Sequence, residues 1–161
     1  VFGRDDSFLN LFARLARALP VLALACPDAK FQPVFVEDVA RAVVASLDLP
    51  ASYGVSYDLC GPRVYRLQEL VAYVCTLTGH RRPILPLSRR MSYLQAWALE
   101  KLPVKLMTRD NVRSMEVDNV CACGFPAVFD WVPTPLEAVA PEYLGGGSRA
   151  RFSLLRGRAR R

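Results

Sequence analysis

Glu37 and Asp38 stand side by side just ahead of an apolar run, a pairing that elsewhere serves general acid–base chemistry. Their position offers a plainer use: carboxylates at the start of a helix meet its free amides and the positive end of its dipole. Cys121 and Cys123 form a C-x-C pair, and His80 is the sole histidine. A structural zinc site needs a second close pair of ligands, and none follows. The five cysteines therefore read as reduced, mostly buried thiols in a reducing compartment, and His80 as a solvated loop residue. None of the six tyrosines has a lysine four residues later, the spacing that sets a phenol and an ammonium on one helix face. No G-x-G-x-x-G or Walker loop occurs, and the Gly run at 144–148 follows no strand. Judged by its own residues, the chain has no complete active site, no catalytic residue and no metal ligand set.

The elements around these residues alternate. The run from Ser7 to Leu19 sets Phe8, Leu11, Phe12, Leu15 and Leu19 at helical spacing, with Asp6 or Ser7 as N-cap and Pro20 as stop. Residues 21–25 read as a short strand. Phe31 to Val36 reads as another, passing almost directly into a helix striped by Val39, Ala40, Val43, Val44 and Leu47, with Asp38 as its cap. A strand over 56–60 and a helix with Leu67, Leu70, Val71, Val74 and Leu77 inward follow, closed by Gly79. A short strand in RRPILPL, a helix in SRRMSYLQAWALEKL, a shorter one capped by Thr108 and a small one over 134–139 complete the body. This is α/β order in the first half and a helical lobe in the second.

Composition narrows the classes. The chain has 161 residues, 52% of them apolar, enough for one domain with a core. Its net charge of +6 comes from Arg149, Arg151, Arg156, Arg158, Arg160 and Arg161. Without those six of the 21 basic residues, 15 remain to balance 15 acidic ones. The body is neutral, which argues against specific nucleic-acid binding. Residues 1–143 form the body, and 144–161 a Gly-rich linker with a basic tail suited to an anionic membrane surface or an acidic partner. No apolar run is long enough to cross a membrane, and nothing resembles a signal peptide.

Three stretches resemble one family. FQPVFVEDVARAVVASL and YDLCGPRVYRLQELVAYV are similar to the strand–helix units in the second half of extended short-chain dehydrogenases/reductases of the epimerase-like type. LMTRDNVRSMEVDN followed by PTPLEAV resembles the atypical branch that includes the nucleotide-binding accessory subunits of respiratory complex I. The resemblance spans about residues 1 to 143. It implies the C-terminal part of a Rossmann-like NAD(P)-binding fold with a small, helical substrate lobe, an incomplete domain whose missing half holds most of the NAD(P)(H). VFGRDD then corresponds to a strand end and loop beside the nicotinamide. On that basis Val1, Phe2 and Gly3 face the cofactor, and Arg4, Gln32, Val34, Thr108 and Arg109 line the substrate cleft.

The resemblance further implies an accessory or assembly subunit of an NADH:quinone oxidoreductase-like complex, cytoplasmic and peripheral at the inner membrane. The alternative is the substrate-side half of an active NAD(P)-dependent epimerase, dehydratase or reductase. A free-standing module without nucleotide is disfavoured by the sheet edges it would expose. Helices such as 8–19 and 39–48 are expected to keep apolar faces partly uncovered, with marginal stability or self-association as the consequence.

Overall fold

The structure, a computed structural model, describes residues 1–101 and 107–145. The Arg-rich tail lies outside the described residues, as does the linker from 146 onward.

Helix α1 (Ser7–Ala18) begins where Asp6 turns extended and its Oδ1 accepts the amide of Leu9 at 2.6 Å. It buries Leu9, Ala13 and Ala16, while Phe8 and Phe12 pack partly against the same core. The chain then runs through β1 (Leu22–Leu24) and β2 (Lys30–Phe31) into α2 (Val36–Leu47). Strand β3 (Tyr65–Arg66) leads directly into α3 (Leu67–Leu77), and β4 (Ile84–Pro86) precedes α4 (Arg89–Glu100). Helices α5 (Arg109–Ser114) and α6 (Leu136–Leu144) finish the described chain. No helix among the described residues is long and apolar enough to cross a membrane.

Two small sheets form. β1 and β4 pair in parallel, Leu22 with Ile84 and Leu24 with Pro86, and backbone bonds from Leu22 to Pro83 and from Leu87 to Leu24 extend the ladder. β2 pairs antiparallel with β3, and on its other side the backbone of Lys30 and Gln32 bonds Asn119. Phe2 adds a parallel bridge to Phe35: its amide donates to the Val34 carbonyl at 2.8 Å and its own carbonyl accepts the Val36 amide at 2.9 Å.

Helix α3 is the centre of the molecule. Leu67, Leu70, Val71, Val74 and Leu77, the stripe expected to point inward, are all buried. Leu70, Val74 and Leu77 meet Leu9 and Ala13 of α1 and Leu136, Ala140 and Leu144 of α6. Leu67, Val71 and Cys75 meet Leu22 and Leu24 of β1. The helix ends as Gly79 predicts. Its φ is +74°, its amide donates to the Thr76 carbonyl, and the His80 amide reaches back to Cys75. Glycine takes this left-handed position without the strain a Cβ brings.

Several expectations are corrected. Residues 56–60 form no strand, because no neighbouring backbone hydrogen-bonds them along their length and a strand needs a ladder to satisfy its amides. The strand expected over 31–36 is broken into β2 and the single bridge at Phe35. Helix α2 starts at Val36, so Asp38 lies inside its first turn, and its Oδ2 accepts the amide of Thr134 at 2.6 Å instead of capping. The last helix runs to Leu144, beyond the 134–139 expected, and Leu144 is itself a core residue. His80 is half-buried, with Nδ1 2.8 Å from the Thr78 carbonyl. The cysteines are free, but only Cys60 and Cys75 are buried.

Candidate functional site

Two adjoining concavities open around the first residues of the chain. The larger, about 810 Å³, runs along residues 1–8 and is walled by Phe35 to Glu37 and by Val139, Glu142 and Tyr143 of α6. The smaller, about 360 Å³, shares Val1, Phe2, Asp6 and Phe8 and adds Gln32, Val34, Leu59 and Asn119. The parallel bridge of Phe2 to the 34–36 segment forms the divide between them. Gly3 gives room there: a Cβ would stand 2.7 Å from Cγ1 of Val36, which would have to turn aside. The ring centroids of Phe2 and Phe35 lie 5.5 Å apart beneath the floor.

Asp6 ties the site together. Besides capping α1 it accepts a hydrogen bond on Oδ2 from the Tyr143 hydroxyl at 3.1 Å, joining the first helix to the last. Burial, with Asp6 beside it, raises the phenol of Tyr143 well above the usual tyrosine value. Asp5, Asp6, Glu37 and Glu142 all border the larger concavity, against Arg4. A cleft so lined suits polar, neutral or cationic groups, because carboxylates raise the cost of bringing a phosphate close. No group of three or more His, Cys, Asp or Glu residues able to hold a metal exists among the described residues.

Val1, Phe2, Gly3 and Arg4 thus converge with Gln32 and Val34 on one region of the surface. Gln32 does so with both ends of its amide engaged: Nε2 donates to the Gly61 carbonyl at 2.8 Å and Oε1 accepts the Cys121 amide at 3.0 Å. Val34 is buried in the divide. Thr108 and Arg109 border neither concavity. Thr108 caps α5 by accepting the Asn111 amide. The amide and Nε of Arg109 donate to the two carboxylate oxygens of Glu100, at 2.6 and 3.0 Å, which pins α5 to α4. Glu37 was singled out from the sequence only as a helix-start carboxylate, and Glu142 and Tyr143 not at all. The last two reach the site only because α6 folds back onto α1, a contact no local pattern encodes.

A mixed α/β arrangement with parallel strand pairing and a parallel bridge at the mouth of a cleft is compatible with part of a Rossmann-like fold. No family model matches the chain. It is similar to the protein named NADH dehydrogenase [ubiquinone] 1 alpha subcomplex subunit 9, mitochondrial, from Rattus norvegicus. The two are 33% identical over 152 residues, 89% of this chain and 39% of that protein. The subunit of the same name from Mus musculus is likewise 33% identical, over 155 residues, and that from Arabidopsis thaliana 28% over 160, with the same shares of each chain covered. The resemblance to complex I accessory subunits therefore holds along most of the chain. The chain spans about two fifths of the length of the curated relatives it matches.

Proposed function

We propose that this chain is part of an accessory or assembly subunit of an NADH:quinone oxidoreductase-like complex, peripheral at the inner membrane. On this reading its own role is to form the substrate-side wall of a nucleotide cleft and not to carry out chemistry. The observation that carries the reading is the likeness to alpha subcomplex subunit 9 across 89% of the chain. The geometry supports it. Phe2 makes a parallel bridge at a cleft, in the kind of place where α/β folds meet ligands, and the hydrogen-bonded Tyr143–Asp6 pair at that cleft is engaged in joining α6 to α1. NAD(P)(H) would meet this chain at its nicotinamide end, along Val1, Phe2 and Gly3. The carboxylate-rich lining disfavours phosphates here, so the pyrophosphate falls to polypeptide outside this chain. The uncovered apolar face of α2 is the surface such polypeptide would cover, with the basic tail facing an anionic membrane or the complex itself.

The test is a tagged full-length protein carrying this segment, expressed in its source cells and separated on native gels stained for NADH-oxidising activity. Co-migration with the active complex is expected, with dissociation of the complex when the subunit is depleted. A protein that migrates alone and turns over a small substrate with NAD(P)H would overturn the accessory reading in favour of an active epimerase-like enzyme.

A further inference from the structure

The amide of Gln32 bridges two segments far apart in sequence. By bonding Gly61 at one end and Cys121 at the other, it sets Cys60 beside Cys121. Gly61 permits the approach, since a Cβ there would fall 1.8 Å from the Pro33 carbonyl oxygen. Cys60 is buried, and its thiol donates to the Cys123 carbonyl at 3.7 Å, which brings it against the C-x-C segment that also holds Cys121. Cys121 is half-buried and Cys123 exposed. Cys26 and Cys75 lie elsewhere, against the core formed by α1, α3 and β1.

We propose that Cys60 and Cys121 are a modification site, a thiol pair that hydroperoxides oxidise to a reversible disulfide. The more exposed Cys121 reacts first. Its thiolate sulfur attacks one peroxide oxygen, the O–O bond breaks, and Cys121 becomes a sulfenic acid while the other oxygen leaves and is protonated to water. The Cys60 sulfur then attacks the Cys121 sulfur: the S–S bond forms, the S–O bond breaks, and the departing hydroxide takes the Cys60 proton as water. Two thiols lose two electrons and one hydrogen peroxide becomes two waters. Burial, with Cys121 alongside, pushes the Cys60 thiol up to about 12, which leaves the more exposed Cys121 as the first of the two to meet peroxide. Leu59, Gln32 and Asn119 border the smaller concavity, so the bond would fix one wall of that cavity.

The experiment treats the reduced full chain with a small excess of hydrogen peroxide, blocks remaining thiols and maps the peptides by mass spectrometry. The expected product is a Cys60–Cys121 linked peptide that dithiothreitol releases, formed equally in Cys123→Ser and Cys26→Ser. In Cys121→Ser the oxidation of Cys60 slows by roughly tenfold or more. In urea the same treatment should give scattered pairings, because the Gln32 bridge is gone. A Cys121–Cys123 linkage in the folded chain, Cys121 driven to sulfinic acid with Cys60 still free, or the same pairing with and without urea would each overturn the site.

Discussion

Tyr65 places its hydroxyl between the two carboxylate oxygens of Glu137, at 2.8 and 2.9 Å, and so fastens the start of α3 to the start of α6. Glu137 is partly hydrated, so Tyr65→Phe should cost about 1.5 kcal/mol in urea unfolding, at the low end for a bond to a charged acceptor. Asp38 is a stricter case, being buried with a backbone amide as its partner. Asp38→Ala strands the Thr134 amide and should cost about 2 kcal/mol. Tyrosines also set the alkaline limit. Burial and then Glu137 push Tyr73 up to about 12, and burial raises Tyr65 and Tyr143 further. A raised phenol favours the neutral form in the folded chain. Its contribution is whole below the unfolded value near 10 and drains as pH climbs from there toward 12 and beyond. Tyrosinate absorbance should therefore rise together with loss of the circular dichroism signal above pH 10. A separate, earlier titration of these three tyrosines would contradict the packing described. None of these partnerships shows in the sequence, since each joins residues tens of positions apart.

Helices α2 and α3 carry equally clear apolar stripes and meet opposite fates. Around α3 lie α1, α6 and β1, and its whole stripe is covered. Of α2 only Asp38 and Ala42 are buried, while Val43, Val44 and Leu47 are 58, 63 and 70% exposed. Leu70→Ala should then cost about 3 kcal/mol through the cavity it leaves, whereas Val44→Thr should stay within about 0.5 kcal/mol. Denaturant unfolding of the two variants checks both. The helix boundaries were legible because caps and stops are local: Asp6, Thr108 and Gly79 act on amides and carbonyls a few residues away. Strands were less so. Residues 21–25 and RRPILPL pair with each other, but 56–60 has the right pattern and no ladder partner, and pattern alone cannot supply one.

At the scale of the molecule, α4 exposes apolar side chains as well as α2, with Met91, Leu94 and Trp97 each about half exposed. Apolar area of this kind drives association. Sedimentation velocity should show the chain self-associating with rising concentration, and Val43→Lys with Leu47→Lys should shift it toward monomer without lowering its unfolding midpoint. A wild-type chain that stays monomeric at every concentration would count against an interface there. The sequence by itself determined the α/β order, the helix ends marked by Asp6, Thr108 and Gly79, the neutrality of the body and the likeness to complex I accessory subunits. Order and capped ends rest on periodicity and capping chemistry read within a few residues, neutrality on a count of charges, and the likeness on the resemblance of three stretches to that family. Tertiary structure alone decided that Val1 to Arg4 share a cleft with Glu142 and Tyr143, that Thr108 and Arg109 stand apart from it, and that Cys60 meets Cys121. Such meetings depend on how helices and strands pack across long stretches of chain, and hydrophobic burial, the force that drives that packing, is non-directional.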